Sequence, residues 1–104
     1  MAASKAFGMI GLAARAGKIG SGAFVTEKLI KNGKAKLVIV SNDASDNTKK
    51  DFTDMCTWYQ VPICLFSDRE TLGNHIGKES RVVLAITDSG FADRISSLVK
   101  DETM

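Results

Sequence analysis

The sequence predicts an α/β fold, a three-layer α/β/α sandwich around a small four-stranded mixed sheet whose pairings are expected to be largely parallel. Three observations carry this. Helical and strand-like patterns alternate along the chain in the order α-β-α-β-α-β-α-β-α. The longer strands, Leu37 to Ser41, Pro62 to Phe66 and Val82 to Ile86, are continuous apolar runs, and such strands are usually covered on both faces. The 104 residues, 44% hydrophobic and 25% charged, suffice for one core and fall short of the size at which chains divide, so residues 1–104 read as one domain.

Each element follows from local signals. From Ser4 to Ala16, Phe7, Ile10 and Ala14 recur at i, i+3 and i+7, a helix that Gly17 is placed to stop. Ile19 to Ser21 is a short strand, and a second helix runs from Ala23 to Asn32, closed by Gly33. After the Leu37–Ser41 strand, Asp43-Ala44-Ser45-Asp46 offers capping side chains for a third helix, on which Phe52, Met55, Cys56 and Tyr59 share a face. Pro62 opens the next strand. A short helix from Asp68 to Ile76 ends at Gly77 before the Val82–Ile86 strand. Thr87-Asp88-Ser89 caps a final helix with Phe91, Ile95 and Leu98 on one side.

Composition narrows the function. No apolar run approaches the ~18 residues of a membrane span. The alanine-rich stretch from Met1 to Ala16 carries Lys5 and Arg15 and lacks the pattern of a secretion signal. The expected location is therefore cytoplasmic, with no membrane partner. Two cysteines make no disulfide framework, and Cys56 and Cys64 read as small core residues. The lone histidine, His75, lies on the short fourth helix, and neither a G-x-S-x-G elbow nor C-x-x-C or H-x-x-x-H spacing occurs. No catalytic residue, metal site, cofactor or small-molecule substrate is assigned.

Charge is more telling. Residues 1–36 hold seven bases against one acid, Glu27, whereas residues 37–104 hold seven bases against eleven acids. One end of a small globule thus carries a positive field, of which a polyanion is the usual partner. The cluster Gly17-Lys18-Ile19-Gly20-Ser21-Gly22-Ala23 lacks both the G-x-G-x-x-G and the G-K-[ST] patterns. It is a small-residue turn feeding a helix N-terminus, where free N–H groups and the helix dipole favour a phosphate. At about 100° per residue, Val25, Leu29, Thr26, Ile30 and Ala23 fall on one arc, the predicted buried face. Phe24 falls between Lys31 and Lys28 on the polar side, the look of a base-stacking platform within a phosphate-binding patch. A second basic segment, Gly77-Lys78-Glu79-Ser80-Arg81-Val82, precedes the last strand; periodicity does not say whether it meets the second helix.

Across residues 5–100 the chain resembles the kink-turn RNA-binding ribosomal protein family of the L7Ae and L30e type, and looks closest to its bacterial YlxQ-like branch. The resemblance is carried by Leu12-Ala13-Ala14-Arg15-Ala16-Gly17-Lys18, Ser21-Gly22 with Lys28, and Ala35-Lys36-Leu37-Val38-Ile39-Val40. It continues through Asp43-Ala44-Ser45-Asp46-Asn47-Thr48, Val61-Pro62, Leu72-Gly73 with Ile76-Gly77-Lys78, and Arg81-Val82-Val83. The resemblance implies the same α/β/α sandwich. In family members that bind kink-turns, the second helix opens with Gly-x-Asn-Glu-x-x-Lys, whose polar side chains meet sheared G·A pairs. Here Gly22 and Lys28 match, while Phe24 and Val25 replace the asparagine and glutamate. The resemblance further implies that the segment from Glu79 through Ser80 and Arg81 to Val82 lies against protruding nucleotides, with Arg69 near the RNA.

The reading is a non-catalytic RNA-binding domain whose partner is ribosomal or other kink-turn-containing RNA, and through it the ribosome. Lys18, Lys28, Lys31 and Arg81 are expected at phosphates, with Lys78 among the RNA-binding residues as a flank of the loop before the last strand, and with Ser21, Gly22 and Ala23 approaching the sugar-phosphate through their backbone. Ser80 is expected at sugar or phosphate, and Phe24 and Val82 against unstacked bases. The alternative is a protein-interaction module on the same fold that has lost specific kink-turn binding.

Overall fold

The computed structural model describes residues 4–103; the opening three residues of the Met1–Ala16 stretch lie outside them. The elements are α1 (Lys5–Arg15), β1 (Ile19–Ser21), α2 (Ala23–Lys31), β2 (Leu37–Val40), α3 (Asp46–Tyr59), β3 (Ile63–Leu65), α4 (Arg69–His75), β4 (Val83–Ile86) and α5 (Ser89–Thr103). The alternation read from the sequence is reproduced in full. Among the described residues no helix is long and apolar enough to cross a membrane.

The four strands form one mixed sheet in the order β1-β4-β2-β3. β4 runs antiparallel to both β1 and β2, and only β2 and β3 are parallel. The expectation of a largely parallel sheet is corrected here. A continuous apolar run reports burial on both faces and carries no information about strand direction.

Because successive strand residues point to opposite faces, β2 and β4 divide their side chains between two cores. Leu37, Ile39, Leu84 and Ile86 join Ile10, Leu72 and Ile95 beneath α1, α4 and α5. Val38, Val40, Val83 and Ala85 join Ile30, Phe52 and Cys56 beneath α2 and α3. Both central strands are fully buried, which explains the absence of polar alternation.

Four helices begin on a side-chain cap. Ser4 Oγ accepts from the Phe7 N–H at 3.1 Å, Ser45 Oγ from Thr48 at 3.1 Å, Asp68 from Thr71 at 2.8 Å and Asp88 from Phe91 at 2.9 Å. α2 has no such cap: Gly22 stands in its place, at φ 90°.

Some faces differ from the periodic reading. In α1, Ala6, Ile10 and Ala13 lead the buried stripe, and Phe7 and Ala14 border it. Tyr59 is exposed rather than buried: Gln60 turns left-handed at the end of α3 and carries the chain away toward β3. Ala23 and Val25 are also exposed. They occupy the first turn of α2, ahead of Thr26 and Ile30, which reach the core.

Candidate nucleic-acid interface

The antiparallel pairing of β1 with β4 sets Ser21 opposite Leu84, so the chain entering β4 arrives beside the start of α2. The backbone closes this junction. The Gly22 N–H donates to the Val83 carbonyl at 2.9 Å, the Ser41 N–H to Val82 at 2.8 Å, and the Arg81 N–H to Arg69 at 2.9 Å. Arg81 Nε donates to Ser21 Oγ at 3.1 Å, and its Nη1 to the Ser80 carbonyl at 2.9 Å. The segment from Ser80 to Val83 therefore joins the beginnings of α2 and α4.

The first turn of α2 presents Ala23, Phe24 and Val25 to solvent, with Phe24 75% exposed. The Lys28 ammonium lies 5.3 Å from the Phe24 ring centroid, a cation–π distance one helical turn along. A flat apolar face and a positive charge thus stand together at an uncapped helix start, where backbone N–H groups and the helix dipole add positive potential.

The segment 77–82 is held by close packing on α4. A Cβ built on Gly73 would collide with the Glu79 carbonyl, so only glycine permits this approach. The Lys78 N–H donates to the Gly73 carbonyl at 2.9 Å, which keeps Lys78 by the C-terminal end of α4.

The other expected contact residues are distributed as follows. Lys31 lies in the last turn of α2, paired with Glu27 at 3.3 Å. Lys18 precedes β1, where its carbonyl accepts from Thr87 at the end of the sheet away from Ser21. Ser80 is exposed, and Val82 is half-buried against the α2–α3 core. The structure thus brings together Ser21, Gly22, Ala23, Phe24, Lys28, Ser80, Arg81 and Val82. Lys18, Lys31 and Lys78 stand apart from that group.

Arg69 is anchored locally. Its N–H and Nε donate to the Asp43 carboxylate at 3.1 and 3.3 Å, and its Nη2 to the Asp43 carbonyl at 2.7 Å. The neighbouring Ser41 hydroxyl, then the Arg69 backbone N–H and guanidinium, hold the Asp43 carboxyl below its ordinary range. Ser41 Oγ is buried and makes no hydrogen bond of good geometry, so the three Arg69 contacts are the firmer anchor. Sequence reasoning read Asp43 only among capping residues, whereas Ser45 makes the cap and Asp43 reaches across to α4.

Cys56 is buried and Cys64 half-buried, and burial pushes both thiols up to about 11. His75 stacks on Phe7 with ring centroids 4.3 Å apart. Among the described residues no group of three metal-ligating side chains is placed to hold an ion.

Fold and site together define a small α/β/α module with a cationic, partly apolar helix start braced by a distant loop. Residues 4–96 match the Ribosomal protein L7Ae/L30e/S12e/Gadd45 family, and the chain belongs to that family. It is 50% identical over 93 residues to the RNA-binding protein YlxQ of Bacillus subtilis, an alignment covering 89% of this chain and 93% of that protein. It is 47% identical over 97 residues to the RNA-binding protein YlxQ of Enterococcus faecium, covering 92% of each. A solved structure of a protein with unknown function from Bacillus halodurans C superposes with a TM-score of 0.91 at 39% identity, covering 94% of this chain and 99% of that one. The Giardia lamblia 15.5kD RNA binding protein, at 22% identity and a TM-score of 0.76, shares the fold over 91% of this chain and 82% of its own.

Proposed function

We propose that this chain is a non-catalytic RNA-binding protein of the cytoplasm, taking kink-turn-like or other structured RNA at the start of α2 and the loop before β4, with ribosomal RNA or the ribosome as its setting. The observation that carries the reading is the Arg81–Ser21 bond at an uncapped helix start beside the exposed Phe24 and Lys28. The names of the two bacterial relatives support the RNA part.

In this reading Arg81 and Lys28 contact phosphates, and the glycine turn at Gly22 lets backbone approach the sugar-phosphate closely. Phe24 receives an unstacked base, and the exposed edge of Val82 adds apolar contact. Lys18, Lys31 and Lys78 contribute at longer range to the positive field. Arg69, held by Asp43, orients the Arg81 backbone through its carbonyl.

Gel-shift titration with a kink-turn, a plain duplex and a single strand at two salt concentrations tests this. Preference for the kink-turn or another folded RNA supports it, and no binding to any of the three at low salt overturns it. A second reading rests on Phe24 and Val25 standing where kink-turn binders carry asparagine and glutamate: a protein-interaction module on this fold. Pull-downs with and without ribonuclease separate the two, since partners that survive the nuclease support the second.

A further inference from the structure

α1 and α5 cover the sheet face opposite α2 and α3, and between them runs an open groove of about 450 Å³. Its floor is aliphatic: Met9 and Leu12 come from α1 and Leu98 from α5, with Leu12 46% exposed. Gly8 is exposed midway along, and a Cβ there would meet nothing within 4 Å, so the groove is shallowest in side chains at its centre. Its rim is cationic. Lys5 and Arg15 mark the two ends of α1, separated by roughly 15 Å of helix, and Arg94 rises from α5. Among the described residues none of these three is in an ion pair, and no carboxylate lines the groove. Glu102, at the Lys5 end, is engaged with Ser4 Oγ and the Ala6 N–H.

We propose that this groove docks an acidic amphipathic helix of about three turns from a protein partner. Lys5, Gly8, Met9, Leu12 and Arg15 form one stripe at i, i+3, i+4, i+7 and i+10, charged at both ends and apolar between. The complementary ligand carries carboxylates about three turns apart with leucine-like side chains between them, the helix-in-groove mode. Nucleic acid matches less well, because the groove offers no aromatic ring for a base to stack on. The groove uses none of the residues gathered at the α2 start, so the inference stands whether or not the RNA reading does.

The probe is a fluorescein-labelled peptide of about a dozen residues with glutamates at both ends and leucines at i, i+3, i+4 and i+7 between. It is titrated into the full chain by anisotropy, with amide chemical shifts recorded in parallel. Saturable binding with shifts confined to α1 and α5 is expected, and Arg94→Ala and Leu12→Gln each weaken it at least fivefold. A scrambled peptide of equal composition binds at least tenfold more weakly. Either variant suffices if the other misfolds, because both positions are exposed. The proposal is overturned by absence of binding at ~1 mM peptide, by shifts centred elsewhere, or by equal affinity for the scrambled peptide. It is also overturned if a single-stranded RNA perturbs the α1–α5 amides more strongly than the peptide, or if sedimentation shows a second copy of the chain filling the groove in a dimer that Leu12→Gln dissolves.

Discussion

Arg81 donates through Nε to the hydroxyl of Ser21, a residue sixty positions earlier, at 3.1 Å. The bond fixes the half-buried Arg81 guanidinium beside the start of α2, with Nη1 held on the Ser80 carbonyl. Arg81→Ala removes both cation and brace. RNA affinity is expected to fall about tenfold, with the salt slope flattening by roughly one. Arg81→Lys restores the charge without the planar fork, so it should recover the slope more than the affinity. Filter binding from low to moderate salt reads both.

Phe24 is 75% exposed, so its removal leaves the core intact and tests its proposed role at the RNA. Phe24→Ala should leave stability within about 0.5 kcal/mol while weakening RNA binding by about 1–3 kcal/mol, the range for one stacked base. The pair Phe24→Asn/Val25→Glu rebuilds the polar helix opening of kink-turn binders. It is expected to shift preference toward a kink-turn over a plain duplex by at least fivefold in competition gel shifts.

Gly73 makes a different prediction, because its space is occupied by backbone. Gly73→Ala forces the Glu79 carbonyl away and should cost about 1–3 kcal/mol by thermal or urea unfolding. The displaced segment carries Ser80 and Arg81, so at a temperature where the variant remains folded its RNA affinity should also drop. A loss of stability with unchanged affinity would separate the loop from the interface.

The Asp43–Arg69 pair predicts a pH dependence. The Ser41 hydroxyl and the Arg69 contacts hold the Asp43 carboxyl below its ordinary range when folded, so the unfolded chain binds its proton more readily. Its contribution to stability is therefore present above the unfolded pKa of about 3.9 and is lost as pH falls through the lower folded value. The stability gap between the parent chain and Asp43→Asn should stay constant from about pH 5 to 8, then narrow as acid is added. Urea unfolding from about pH 8 down into the acid range below the unfolded pKa measures it.

Both cysteine thiols are raised to about 11 by burial, so little thiolate exists near neutrality. Alkylation by iodoacetamide at about pH 8 should run on the order of a hundredfold more slowly in the native protein than in urea.

Much of this fold could be read from the chain because its signals are local. The uninterrupted apolar runs mark β2 and β4, and Ser4, Ser45, Asp68 and Asp88 mark helix starts through hydrogen bonds spanning only three residues. Strand direction could not be read, since Val38 and Leu84 would be buried in either orientation. The site was legible in the same divided way. Phe24 and Lys28 are one turn apart, so helical periodicity places them together. Ser21 with Arg81, and Asp43 with Arg69, meet only through sheet order and loop packing. Periodicity also fixes the side of a helix without saying how far the cover extends along it, which is why Ala23 and Val25 emerged exposed.

The pairing of β4 between β1 and β2 has a consequence for synthesis. During translation, α2 emerges long before the strand that must slot beside β1, and until that strand is out the Ser21 hydroxyl waits without its arginine. A nascent chain halted ahead of residue 81 holds only the Ser21 half of this junction, so the proposed interface is assembled only after β4 has emerged.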